Sequence, residues 1–328
     1  MIVSAIVDPS VFGPQGIVDE LSRREASALL EGIVQNGVLI DGPERNLLRA
    51  AIQQAEQLLS TKKQQRVLLL LQEIIKQHKK YVVPCDRSLW QHGSAGFASQ
   101  QIGSIVGVLK PDVIVTLPDR AAAMAQAVGR HGGIVPLSEL SDSPYEELRR
   151  RMSRMELPLD QLTRPEIEER IGRALKFAHV LRIFDYRMVA SVQRARRYLQ
   201  GITFVAKIWE ASCVVGEPTS RVIELITVGD TYTQGGFLSG ADALNRLQAE
   251  IAEPLASSIS AQVQVVVKKD NDPSIFHARG FEAKHRAFTL DPGFDAIGTD
   301  GPVRRCLLKA ELAAEVHFQE CRRLPTIP

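Results

Sequence analysis

Short β-branched runs alternate with longer stretches whose apolar residues recur at helical spacing, and this alternation restricts the chain to an α/β architecture built on parallel strands. The first run, Ile2 to Val7, ends at Asp8-Pro9, where proline withdraws a backbone donor and stops the strand. Strand one therefore delivers a carboxylate to its own C-terminal end. IVDELSRREASALLEGIVQNG follows with helical periodicity and closes on Asn36-Gly37, a C-terminal stop signal. After Val38 to Pro43, the stretch from Glu44 to Lys80 reads as helix in two pieces with a polar break at Ser60 to Lys63. Val82 to Cys85 reads as a short strand, and HGSAGFASQQIGS as a glycine- and serine-rich surface loop. A β-α-β unit follows: a strand at Val113 to Thr116, a helix at Arg120 to Gly129 and a strand at Ile134 to Leu137.

A chain of 328 residues exceeds the size at which one hydrophobic core keeps growing. The charged stretch after Ser141 marks the expected boundary, giving domains at 1–145 and 173–328 joined by a charged helical linker at 146–172. The second half opens with a strand ending in Asp185-Tyr186, then a helix (VASVQRARRYLQ) and an expected strand (ITFVAKIWEASCVV). RVIELITVG reads as strand, ADALNRLQAEIAEPL as helix and AQVQVVVK as strand. HARGFEAKHRAFTLDPGFDAIG then predicts two strands around a short turn, and LLKAELAAEVHFQECRRL a closing helix.

Net charge is only +2, so a polyanion site must come from local clustering. Arg194, Arg196 and Arg197, and later Arg304, Arg305 and Lys309, are such clusters, although charge runs on helices are more often solvated faces. Trp90 and Trp209 are candidates for base stacking, with core packing as the blander reading. Cys85, Cys213, Cys306 and Cys321 form no C-x-x-C pair and read as reduced thiols. The apolar stretch Val67 to Leu71 is far below the roughly 20 residues a bilayer requires, and the N-terminus shows no basic leader. The expectation is a cytoplasmic protein without a membrane span. There is no G-x-x-x-x-G-K-S/T loop, no G-x-G-x-x-G after a strand and no G-x-S-x-G elbow, so nucleoside triphosphate hydrolysis and serine hydrolysis are not indicated.

Acidic residues recur at strand ends in the N-terminal half: Asp8, then Asp112 before one strand and Asp119 after it, with Asp41 and Glu44 at a loop-helix junction. Carboxylates converging at the C-terminal edge of a parallel sheet would suit Mg2+ or Mn2+, metals that activate water against a phosphodiester. The plainer alternative makes Asp41 and Glu44 helix-starting residues, and Asp112 and Asp119 turn residues. IVDPSVF and KPDVIVTLPDRAAAMAQAVGRHGGIVPLSEL resemble the first and last motifs of PIN-like nuclease domains over residues 1 to about 140. The resemblance implies that Asp8 and Asp119 are metal-binding, catalytic carboxylates, with Asp112 and Glu44 as further candidate ligands. Pro118 and Arg120 depart from the family pattern, and an inactive PIN-like domain is an equal alternative.

In the C-terminal half, His277 and Arg279 stand two residues apart on a predicted strand and so share a face, followed by Lys284, His285 and Arg286. Such a pair suits phosphate, with Arg279 binding oxygens and His277 as nucleophile or acid. The strand ending in Asp185-Tyr186 and HARGFEAKHRAFTLDPGFDAI resemble, in order, the phospholipase-D-like fold of the kind at the C-terminal end of MIT-domain proteins, over roughly residues 175 to 328. An active motif of that family reads H-x-K-x4-D; here Arg279 stands for the lysine and Lys284 for the aspartate. The expected fold is thus α/β, a PIN-like parallel sheet with helices followed by a phospholipase-D-like mixed sheet with helices. The leading expected function is a nucleic-acid-directed phosphodiesterase or nuclease-derived effector of a bacterial toxin or antiviral defence system, with Arg279, Lys284 and His285 binding phosphate. The alternatives are a non-catalytic adaptor that assembles with a partner or binds anionic phosphate surfaces, and a metal-independent phosphodiesterase acting through His277 in a homodimer. RNA or DNA, a protein encoded in the same operon and a second copy of the chain are the expected partners.

Overall fold

The computed structural model describes residues 2–58, 65–87, 89, 99–128, 133–153, 156–233, 236–269, 279–310 and 312–327. It is α/β, with one parallel sheet and one mixed sheet, in compact units spanning Met1–Arg154 and Met155–Pro328. The expected linker is shared between them: its first part is a helix of the first unit, and its remainder supplies a strand and a helix to the second.

In the first unit, strands β1 (Val3–Val7), β2 (Gly37–Asp41), β3 (Val82–Pro84), β4 (Val113–Thr116) and β5 (Gly133–Pro136) form a parallel sheet in the order β3-β2-β1-β4-β5. β1 and β2 are buried along their whole length, as befits parallel strands covered on both faces. The chain leaves β1 towards β2 and returns to its other side as β4, so the C-terminal ends of β1 and β4 flank a topological switch point. Helix α1 (Glu20–Asn36) starts at a capping box of Asp19 and Ser22 and buries Ala26, Leu29, Leu30 and Ile33 at helical spacing. Helices α2 (Asn46–Glu56), α3 (Gln65–Lys76), α4 (His78–Tyr81), α5 (Ser99–Leu109), α6 (Pro118–Val128) and α7 (Pro144–Met152) complete the unit. The expected loop at HGSAGFASQQIGS thus gives way to helix from Ser99, because Ile102, Ile105, Val106 and Leu109 repeat at helical spacing and are buried.

In the second unit, β6 (Glu156–Pro158), β7 (Val180–Phe184), β8 (Val222–Gly229), β9 (Thr231–Thr233), β10 (Gly236–Leu238), β11 (Gln262–Lys269), β12 (Gly280–Ala283), β13 (Arg286–Asp291), β14 (Ile297–Gly298), β15 (Gly301–Pro302) and β16 (Leu307–Ala310) are interleaved with α8 (Arg164–Leu175), α9 (Val192–Ser212), α10 (Gly240–Leu247), α11 (Glu253–Ala256) and α12 (Leu312–Arg323). The main sheet runs β11-β8-β7-β12-β13-β16-β6. Its first three strands are parallel and the remainder join antiparallel. β9 and β10 form a separate antiparallel hairpin. Phe184 stacks on Phe318 at 4.3 Å between ring centroids, seating α12 on the sheet. Lys268 Nζ donates to the carbonyls of Arg322 and Leu324 and to Thr326 Oγ1, so the chain end is fastened beside β11.

Two further expectations are corrected. ITFVAKIWEASCVV is not a strand: α9 runs through to Ser212, because Ile202, Val205, Ala206 and Trp209 fall on one helical face and are buried. Burial on a helical stripe overrides the local β preference of isoleucine, valine and phenylalanine. The start of LLKAELAAEVHFQECRRL is strand β16, which pairs with β13 and β6, and the helix begins only at Leu312. The end of α9 is fastened by Arg221, whose guanidinium donates to the carbonyls of Glu210, Cys213, Val215 and Gly216. All four cysteines are buried thiols.

Gly201 lets α9 lie against the turn at Phe294, since a Cβ there would stand 2.1 Å from the Phe294 carbonyl oxygen. Gly201→Ala lowers the stability of the second unit by about 1–3 kcal/mol in denaturant unfolding. Gly107→Ala, in α5 where a Cβ meets nothing within 4 Å, raises stability by about 0.5–1 kcal/mol.

Candidate functional site

At the switch point of the first sheet, Asp8 is 1% exposed and fully engaged. Ser10 donates to Oδ1 from its amide at 3.0 Å and from its hydroxyl at 2.5 Å. Thr116 Oγ1 donates to Oδ2 at 3.0 Å and Arg120 Nη1 to the same oxygen at 3.1 Å. Strands β1 and β4 are adjacent, as convergence of Asp8 and Asp119 requires, but the side chain that reaches Asp8 is Arg120. Asp119 is exposed on the first turn of α6. Asp112 lies at the opposite edge of the sheet, where its Oδ2 accepts from the amide and hydroxyl of Ser4 at 2.7 and 2.8 Å. Glu44 pairs with Arg87 on the surface, and its backbone takes φ 57°. Asp41 receives the amides of Leu47 and Leu48 at the start of α2, the helix-starting role, and burial pushes its carboxyl up to about 6.

Of the four candidate ligands, Asp8 is paired with the Arg120 guanidinium, Asp112 is bonded to Ser4, Glu44 is paired with Arg87 and Asp119 is exposed. No group of three or more His, Cys, Asp or Glu suited to a metal ion occurs among the described residues. With its acceptor deleted by Asp8→Ala, the buried Thr116 hydroxyl and the half-buried Ser10 donors lose their partner. The variant loses about 1–3 kcal/mol of stability, read as a lowered denaturation midpoint.

In the second unit, β7 delivers Asp185 and Tyr186 to its C-terminal end. Asp185 is completely buried; Oδ1 accepts the Arg187 amide at 2.8 Å, and Oδ2 makes no hydrogen bond of ordinary geometry among the described residues, with the Tyr198 hydroxyl close by. Burial pushes its carboxyl up to about 7, against the opposing effects of the Arg187 amide and the nearby Arg279 guanidinium. Asp185, Tyr198 and Arg279 crowd around Gly293: a Cβ there would lie 3.3 Å from Asp185 Oδ2 and 3.1 Å from both the Tyr198 hydroxyl and Arg279 Cδ. Arg279 donates to the Pro292 carbonyl and, at 3.1 Å, to the Tyr186 hydroxyl. Tyr186 is stacked by two guanidinium groups, with Arg187 at 4.9 Å and Arg279 at 5.2 Å from the ring centroid.

The other expected phosphate ligands lie elsewhere. Lys284 and His285 form the turn between β12 and β13, separated from Arg279 by the length of β12. His285 is buried and meets Phe177 edge-on at 6.5 Å. His277 and Trp90 lie outside the described residues, and Trp209 is a core residue donating its indole N–H to the Ala178 carbonyl at 2.7 Å.

A cleft of about 580 Å3 opens beside the C-terminal ends of β7 and β8. Arg187 enters it from the turn after β7, Arg194 and Arg197 from the first turns of α9, and Thr231, Tyr232 and Thr233 from β9. Arg194 and Arg197 share a helix face because they are three residues apart. None of the three arginines has a carboxylate partner among the described residues, whereas neighbouring Arg196 is paired with Glu250. No acidic residue is among the described residues that line the cleft. The sequence signalled Arg194 and Arg197 as a charge cluster; Arg187 and the β9 residues join them only through the parallel pairing of β7 with β8. No protein-family model, curated protein or solved structure matches this chain.

Because the Asp185 carboxyl is raised, the folded state holds its proton more tightly than the unfolded state does. That contribution to stability is present at acid pH and is lost as pH rises through about 7. Melting temperatures measured across pH 5–8 should show the native protein losing stability relative to Asp185→Asn as pH rises.

Proposed function

We propose that the chain is a phosphate-recognition protein, related in function to nucleases through its ligand and not through hydrolysis, with the second-unit cleft as the binding site. The observation that carries this reading is the convergence of Arg187, Arg194 and Arg197, without carboxylate partners among the described residues, on a single cleft. Three adjacent cations repel one another, and an anion that bridges them relieves that repulsion while using their forked donors. The hydroxyl of Ser191 on the same wall adds a neutral donor of the sort that orients phosphate oxygens.

The cleft binds more readily than it hydrolyses. Its described lining supplies arginine, serine, threonine and tyrosine but no imidazole or carboxylate to move a proton. In the first unit, the Asp8–Arg120 pair serves as a clamp joining β1 to α6. With a net charge of +2, attraction for a polyanion is local to the cleft and not a property of the whole surface.

Labelled oligonucleotides and inorganic polyphosphate, titrated against the protein at several salt concentrations, test this reading. Arg194→Ala combined with Arg197→Ala should weaken binding at least about ten-fold and flatten the salt dependence by about two phosphate contacts. Unchanged affinity would remove the cleft as the site. Magnesium- or manganese-dependent cleavage abolished by chelator would restore the nuclease reading.

A further inference from the structure

The hairpin of β9 and β10 carries two large aromatic side chains that the fold leaves in water. Tyr232 is 84% exposed and Phe237 57% exposed. They are directly opposite each other across the antiparallel pair, with ring centroids 5.3 Å apart and planes inclined at 64°. An exposed cross-strand aromatic pair contributes modestly to its hairpin and leaves most of its apolar area unused. The hairpin root is fixed: Asp230 Oδ1 accepts the Gly240 amide at 2.8 Å, and Leu238 is buried. Tyr232 is also a wall of the arginine cleft, so the aromatic pair and the cations share one surface.

Resting on the phosphate reading above, we infer that the ligand is a single-stranded nucleic acid whose phosphates lie on Arg187, Arg194 and Arg197 and whose unpaired base stacks on the Tyr232–Phe237 pair. Both halves of the juxtaposition are needed to reach this ligand. Cations alone are satisfied by any polyanion, including a duplex backbone. An exposed aromatic pair adds a surface for the flat face of a base, and a base offers that face only when it is unpaired. The tolerance of stacking for all four bases makes recognition broad in sequence and selective for strandedness. Tyr186, already covered by Arg187 and bonded to Arg279, is a wall of the cleft and not a second platform.

The test uses the full chain and four probes: a single-stranded oligonucleotide, an abasic strand with the same number of phosphates, the corresponding duplex, and vesicles rich in anionic lipid. Tyr232→Ala combined with Phe237→Ala should weaken binding of the base-bearing single strand roughly 5- to 150-fold while leaving the abasic strand unaffected. The native protein should prefer the single strand over both the abasic strand and the duplex. Equal affinity for these three probes, still sensitive to Arg194→Ala, would overturn the stacking inference and leave the phosphate reading standing. Loss of vesicle binding in the aromatic variant with no change on oligonucleotides would reassign the pair to a lipid surface. No binding to any phosphate-bearing probe would overturn both readings, and Tyr232→Phe, which keeps the ring, should retain native single-strand affinity.

Discussion

Burying a carboxylate is tolerated only when its surroundings supply what water no longer can, and Asp185 imposes that condition on the whole carboxyl end of the second sheet. Its Oδ1 draws in the Arg187 amide, which sets the turn from β7 toward α9. Its other side is enclosed by Tyr198 from α9 and by Arg279, with Gly293 leaving just enough room for all three. Arg279 in turn holds the Tyr186 hydroxyl. The position of the cleft wall is therefore a consequence of how one desolvated acid is accommodated beneath it.

The two units solve the same problem in different ways. Asp8 is also buried at the end of a parallel strand, but its oxygens are saturated by serine, threonine and arginine. Asp185 leaves one oxygen without a hydrogen bond of ordinary geometry among the described residues and keeps its guanidinium neighbour occupied with a tyrosine and a carbonyl. The first arrangement closes a site by internal pairing. In the second, the acid stays under the floor and the cations on the surface above it remain available.

Much of the first sheet was legible in the sequence because buried parallel strands announce themselves as β-branched runs, as at Ile2–Val7 and Val113–Thr116. The same signal misled at Ile202–Val215, where the apolar residues serve a buried helix and composition cannot distinguish the two. Strand β6 left almost no trace, since a three-residue edge strand has no period to read. Asp8 and Asp185 were visible as strand-end acids. Their partners were not, because Arg120 lies 112 positions from Asp8 and Arg279 reaches Tyr186 across 93. The cleft was legible only as an arginine cluster on a helix; its opposite wall depends on which strand lies next to β7.

Helix α9 is 21 residues long, about 30 Å, and both of its ends are tied down. Ser191 caps the first turn, and at the far end Arg221 gathers four carbonyls with one guanidinium. The backbone beneath Arg194 and Arg197 is consequently settled before any ligand arrives. Association with the proposed anion would then restrict a few long side chains and little else, so the entropic penalty of capture would be small.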